Sequence, residues 1–206
     1  MMAHGLLERA RRLGAATLHE AFDRQGDLPA AIRPVGRSRV AGPALTVSTL
    51  PGNNLLIHRA LALARPGDVL VVALTEPDED GHAFGYWGDI LTTAAIEKGL
   101  AGLVIDGCVR DVEAIEALGF PVFCRGTAIR GTAKAPTGDV GGVVRIGRIE
   151  VAPGDLVVGD ADGVVVLPAA AVADTLALAD AREAKERGIV EELKKGRTTM
   201  ELYGFE

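Results

Sequence analysis

The sequence predicts a mixed α/β protein, and three observations predict it. Continuous apolar runs such as VLVVAL from Val69 and LVI from Leu103 have the composition of strands buried on both faces. These runs alternate with stretches whose apolar residues recur at helical spacing, such as Leu55, Leu56, Ala60 and Leu63. After Val140 the pattern changes to closely spaced strand pairs joined by Gly- and Asp-containing turns. Helix–strand alternation, then hairpins, then a long helix gives one mixed α/β domain over residues 1–206. Residues 168–206 form a C-terminal helical arm.

The elements follow in order. Gly5 to Leu13 and Thr17 to Asp23 read as two short helices, the second capped by Thr17 with Glu20 completing a capping box. Asp27 to Pro34 is a loop. Val40 to Leu50 is strand-rich, broken by Gly42-Pro43 and turned by Pro51-Gly52-Asn53. Asn54 to Ala64 is a helix that Pro66-Gly67-Asp68 stops, and Val69 to Leu74 is a strand. Pro77 to Trp87 reads as a polar loop. Gly88 then opens a helix with Ile90, Leu91, Ala94, Ala95 and Ile96 on one face, ended by Lys98-Gly99. Leu103 to Ile105 is a strand, Cys108 to Asp111 a charged loop, and Val112 to Leu118 a helix. Pro121 to Phe123 is a strand. Arg125 to Val140 lacks periodicity, and a loop of that length in a compact domain is functional or forms an interface. Val143–Ile146 with Ile149–Val151, and Leu156–Val158 with Val164–Leu167, read as hairpins. Ala169 to Lys195 is one long helix. The tail, Thr198 to Glu206, carries Leu202, Tyr203 and Phe205 and is expected to dock.

Composition narrows the function. Of 206 residues 48% are hydrophobic, which supports a sizeable core and argues against disorder. A net charge of −6 argues against nucleic acid and anionic membrane surfaces as partners. Two cysteines without CxxC spacing fit a reducing compartment, and no apolar run reaches the ~18 residues of a membrane span. The expectation is a cytoplasmic protein.

The chemistry gathers at two helix–strand junctions. Gly88 lies at a helix N-terminus, where free backbone N–H groups favour an anion. Arg110 and Asp111 follow a strand end, the usual place for ligands in open α/β sheets. Asp111 reads either as the N-cap of the helix from Val112 or as an oxygen ligand for a hard divalent ion. Arg110 reads either as a surface cation or as a forked donor to a carboxylate or developing oxyanion. Asp89 either favours the positive end of its own helix or orients water on a metal. Other motifs contribute less. His4, His19, His58 and His82 have no zinc-ligand spacing. His82 is a loop histidine that could approach Gly88. Asp160 to Gly163 starts like a calcium loop but lacks the later ligands, so it reads as a hairpin turn. Cys108 reads as a buried thiol. No Walker loop, GxGxxG or GxSxG motif is present.

With these residues in place the chain resembles the class II metal-dependent aldolases for 4-hydroxy-4-methyl-2-oxoglutarate, which share a fold with the regulator of ribonuclease activity A. The matching stretches are PGNNLLIHRALALARPGDVLVV, GDILTTAAIEKGLAGLVIDGCVRDV and GDVGGVV through GDADGVVVLP. The resemblance implies a β-rich α/β sandwich related to swivelling phosphohistidine domains. It implies that Gly88, Asp89, Ile90 and Leu91 hold a pyruvyl carboxylate, that Arg110 contacts the substrate, and that Asp111 binds Mg²⁺ or Mn²⁺. Asp89 and a glutamate from a neighbouring subunit's C-terminal helix, taken as Glu186 with Glu183 second, act through water on that metal. A homotrimer or hexamer with the site between subunits is implied, and so is aldol cleavage of a 4-hydroxy-2-oxo acid to pyruvate, with oxaloacetate decarboxylation alongside. The regulator branch lacks the metal-binding aspartate, so Asp111 favours the enzyme. The alternative is a non-catalytic protein that binds a ribonuclease.

Overall fold

The computed structural model describes residues 2, 4–36 and 38–205. Its elements are α1 (His4–Ala21), β1 (Arg33–Pro34), β2 (Val40–Thr49), α2 (Leu55–Leu63), β3 (Val69–Leu74), α3 (Glu79–His82), β4 (Gly85–Trp87), α4 (Asp89–Glu97), β5 (Gly102–Ile105), β6 (Cys108–Val109), α5 (Val112–Leu118), β7 (Val122–Cys124), β8 (Gly126–Thr127), β9 (Gly138–Val140), β10 (Val144–Ile146), β11 (Ile149–Val151), β12 (Leu156–Gly159), β13 (Val164–Leu167), α6 (Val172–Lys194) and α7 (Thr199–Tyr203).

Eight strands form the main sheet. Along it the order is β1-β7-β5-β3-β2-β12-β13, and β9 adds to β2. Its centre, β2-β3-β5-β7, is parallel. That is what the unbroken apolar runs require, because both faces of these strands are covered. In β3 the side chains alternate between two cores, as period two demands. Leu70, Val72 and Leu74 meet α2 and α4 through Leu56, Ile57, Ala60, Leu91 and Ala95. Val69, Val71 and Ala73 face Val144, Ile146, Val151, Val157, Val164 and Val166 from the hairpins. A third core joins α1 and α6 over β12 and β13, with Leu13, Leu18, Leu156, Val158, Leu176 and Ala179 buried together.

The β-rich α/β class holds, and three local expectations are corrected. The two N-terminal helices are present, separated at Gly14, whose φ of 80° is non-helical, but the cap of the second is not the expected one. Asp160 Oδ2 accepts from Ala15 N–H at 2.8 Å, so a distant hairpin caps the second half instead of Thr17 and Glu20. The break expected at Gly42-Pro43 is absent. There β2 changes partner, from antiparallel β12 at Val40–Pro43 to parallel β3 at Ala44–Thr49. A Cβ on Gly42 would lie 2.4 Å from Gly67 O, so glycine lets the turn before β3 close onto the strand. Pro77 to Trp87 contains α3 and β4, and Tyr86 and Trp87 are among the largest fully buried side chains. The tail leaves its aromatic pair uncovered by its own chain. The rings of Tyr203 and Phe205 stack on one another at 5.5 Å and remain 50% and 61% exposed. The end of that tail, Glu206, lies outside the described residues. No helix among them is long and apolar enough to cross a membrane.

Candidate active site

Three very short parallel strands, β4, β6 and β8, build the site beside the main sheet. Gly85 pairs with Cys108 and Trp87 with Val109, and Arg110 N–H donates to Trp87 O at 2.9 Å. The carboxyl ends of β4 and β6 therefore lie side by side. One leads through Gly88 into α4 and the other through Arg110 and Asp111 into α5. The first turn of α4 is locked from below. Trp87 Nε1 donates to Thr92 Oγ1 at 2.6 Å, and that hydroxyl donates to Gly88 O at 2.9 Å.

The two junctions converge on one cavity of about 280 Å³. Its lining includes Gly88, Asp89, Ile90, Leu91, Arg110 and Asp111. Asp111 precedes α5 but does not cap it with its side chain. Its backbone is left-handed, φ 56° and ψ 39°, and its carboxylate makes no hydrogen bond to α5. Non-glycine residues hold that conformation at a cost, and aspartate is one of the few that tolerate it. The conformation turns the carboxylate back across the gap, 3.4 Å from Asp89 N and 3.4 Å from Arg110 Nε. Gly88 makes room for it, since a Cβ there would lie 2.3 Å from Asp111 Oδ2.

The amide row of α4 is partly occupied. Ile90 N–H donates to Asp89 Oδ1 at 2.7 Å, so a bound carboxylate would reach that amide only after the Asp89 side chain swings away. The Asp111 carboxylate is about 39% exposed, and its contacts are long and few. A hard oxygen donor in that state fits a divalent ion that keeps most of its waters. Among the described residues no group of three or more His, Cys, Asp or Glu side chains could hold a metal, so water and substrate would complete any coordination sphere.

The sequence reading missed the opposite wall. Asn54, His58 and Lys134 line the same cavity. Asn54 is 5% exposed and its Nδ2 donates to Tyr86 O at 2.9 Å, which turns its Oδ1 towards Lys134 Nζ, the donor to it. Burial, and secondarily the Lys134 charge, hold His58 below its ordinary pKa. Lys134 comes from the aperiodic stretch after β8. Backbone bonds Ala133 N–H to Gly52 O at 2.8 Å and Asn54 N–H to Ala133 O at 3.2 Å stitch that stretch to the turn before α2. The signal available in sequence was the length of the loop, which pointed to no particular residue.

The remaining candidates lie elsewhere. Glu186 pairs with Arg182 at 2.9 Å, Glu183 pairs with Arg12 at 2.7 Å, and neither lines the cavity of its own chain. His82 Nδ1 lies 2.8 Å from Asp106 O in a separate cavity that also holds the 2.6 Å Asp106–Arg125 ion pair. Asp160 to Gly163 closes the β12–β13 hairpin. Burial raises the pKa of Cys108, and that of Cys124 to about 11, so both thiols are poor nucleophiles.

Comparison with known proteins agrees with the resemblance. The RraA-like family, described as Aldolase/RraA, matches residues 15–166. A protein of Halalkalibacterium halodurans, provisionally named a 4-hydroxy-4-methyl-2-oxoglutarate aldolase, is 36% identical over 93% of this chain and 91% of its own. An uncharacterised protein from Pseudomonas syringae superposes with a TM-score of 0.83 at 31% identity, covering 96% of this chain and 92% of its own. A Streptomyces coelicolor protein described as an unusual member of the RNase ES inhibitor RraA family superposes with a TM-score of 0.76 at 28% identity, covering 95% of this chain and 98% of its own.

Proposed function

The chain belongs to the RraA-like Aldolase/RraA family, and from that premise we propose that it is a lyase that cleaves 4-hydroxy-4-methyl-2-oxoglutarate or a similar 4-hydroxy-2-oxo acid. The products are pyruvate and the carbonyl compound formed from the cleaved half, which for 4-hydroxy-4-methyl-2-oxoglutarate is a second pyruvate. The observation that carries the reading is the Asp111 carboxylate, held in a left-handed conformation, turned away from its own helix and set beside Arg110 at the open end of α4. A capping role alone would not need that geometry.

A divalent ion such as Mg²⁺ or Mn²⁺, held by Asp111, would supply Lewis acidity at the 2-oxo group. The chain's own residues do the rest. The N-terminal turn of α4, Gly88 to Leu91, receives the pyruvyl carboxylate, and the helix end favours the negative charge. Asp89 takes the C4-hydroxyl proton through an intervening water. Glu186 of a second copy is the partner for that water. The C3–C4 bond breaks, its electrons pass into the 2-oxo group, and the guanidinium of Arg110 faces the oxygen on which charge develops. Proton return to C3 gives pyruvate. Loss of carbon dioxide from oxaloacetate yields the same enolate, so decarboxylation accompanies cleavage. The assembly is a homotrimer or hexamer.

The test couples pyruvate release to NADH oxidation. EDTA abolishes turnover, Mg²⁺ or Mn²⁺ restores it, and Arg110→Ala collapses it without lowering the melting temperature. Turnover indifferent to chelation, or unchanged in the Arg110 variant, removes the mechanism. A second reading draws on the Streptomyces neighbour: a non-catalytic regulator that binds a ribonuclease. It predicts a protein–protein complex and no metal dependence.

A further inference from the structure

We propose that the cavity holding Asp106 and Arg125 is a second binding site, built for a small zwitterion: an α-amino acid with an apolar side chain. It stands independently of the lyase reading and shares no lining residue with the cavity around Asp111. Its placement comes from the main sheet. The four parallel strands, β2, β3, β5 and β7, each bring a residue at or next to their carboxyl ends to its wall, namely Ser48, Leu74, Asp106 and Arg125. The space outside the carboxyl ends of parallel strands is where open α/β sheets bind ligands. The volume, about 470 Å³, lies within the ~300–1,000 Å³ typical of small-molecule sites.

The polar groups are incompletely used. Asp106 is 4% exposed, yet only one of its carboxylate oxygens is engaged. Oδ1 accepts from Arg125 Nε at 2.6 Å, and Oδ2 has no hydrogen-bond partner among the described residues. Sealing such an oxygen away unpaired is costly. Among the described residues no side-chain polar atom is sealed in that way, so Oδ2 opens onto the cavity that Asp106 lines. The two Nη groups of Arg125 are likewise unbonded. His82 supplies a third free group. A carbonyl only accepts, so His82 Nδ1 carries the proton it donates to Asp106 O, and Nε2 of the neutral ring keeps a lone pair. Charge then selects the ligand class. The lining holds two carboxylates, Asp106 and Glu76, and two guanidiniums, Arg125 and Arg145, so neither a bare anion nor a bare cation is favoured. A neutral molecule with separated charges satisfies both kinds of group. Its ammonium donates to Asp106 Oδ2 and His82 Nε2, and its carboxylate accepts from the Arg125 Nη groups. Leu74, Pro77, Val143 and Val144 offer an apolar wall to its side chain.

The test is isothermal titration calorimetry on the full chain with three probes. L-Leucine carries both charges, 4-methylpentanoate lacks the ammonium, and 3-methylbutylamine lacks the carboxylate. Leucine should bind, and each truncated analogue should bind roughly 10- to 100-fold more weakly. Asp106→Asn should weaken leucine by a similar factor. Val143→Trp, at a position 63% exposed, fills the cavity from its rim and should abolish binding with the melting temperature unchanged. Arg110→Ala, in the other cavity, should bind leucine as the wild type does. The proposal is overturned by no leucine binding up to about 10 mM, or by analogues that bind as tightly as leucine. Unchanged binding in Val143→Trp, or lost binding in Arg110→Ala, also overturns it. If Asp106→Asn fails to fold, the analogue series and Val143→Trp still decide.

Discussion

Replacing Gly88 by alanine tests the convergence of the two junctions directly. The backbone there is extended, φ −155°, so alanine adopts it without strain, and any effect is steric. A Cβ would sit 2.3 Å from Asp111 Oδ2, 3.3 Å from Asp111 Cγ and 3.4 Å from Arg110 Cγ. Relief requires the carboxylate to retreat by roughly 1 Å, a displacement that costs about 100-fold when it misplaces a reacting group. That factor corresponds to about 2.7 kcal/mol in the barrier. The fold should barely notice, because the Asp111 side chain is about 39% exposed, so the stability change stays within about 0.5 kcal/mol. Steady-state kcat/KM by the coupled pyruvate assay and urea unfolding monitored by circular dichroism separate the two effects. A Gly88→Ala variant that keeps activity within threefold would refute the idea that this glycine exists to seat the Asp111 carboxylate. A variant that loses more than about 3 kcal/mol of stability would show that the glycine serves the fold instead.

Asp111→Gly should abolish Mn²⁺-dependent turnover while raising stability by up to about 1 kcal/mol, because glycine relieves the left-handed backbone, and thermal melting alongside kinetics checks both signs. Arg125→Met leaves the buried Asp106 carboxylate unpaired and should cost about 3–5 kcal/mol near pH 8. Burial already raises the Asp106 pKa in the folded state, so the native form gains relative stability as pH falls through that raised value. Urea unfolding should therefore show the penalty shrinking at pH 5.5. His58 should titrate below 6.5 in NMR spectra, because burial and then Lys134 disfavour its charge, and Lys134→Met should move it upward. Glu186→Gln and Arg110→Ala should each be inactive alone yet regain activity when mixed, if a second copy completes each cavity. Failure of mixing to restore any activity would remove Glu186 from the site.

What the chain determines locally was readable from the residues. Val69–Leu74 is a continuous apolar run, and it is a central strand buried on both faces. Leu55, Leu56, Ala60 and Leu63 recur at helical spacing, and they lie on one helix. The Gly88–Asp89 and Arg110–Asp111 junctions were legible too, because helix starts and strand ends carry their own chemical signatures. Only the tertiary structure decided how those junctions are joined. Strands β4, β6 and β8 have three, two and two residues, too short for any periodicity, and exist because they pair with one another. The direction of the Asp111 carboxylate is a single backbone torsion, and the placement of Lys134 depends on bonds to residues about 80 positions earlier. Periodicity reports which face of an element is apolar, whereas those features depend on contacts between segments distant along the chain.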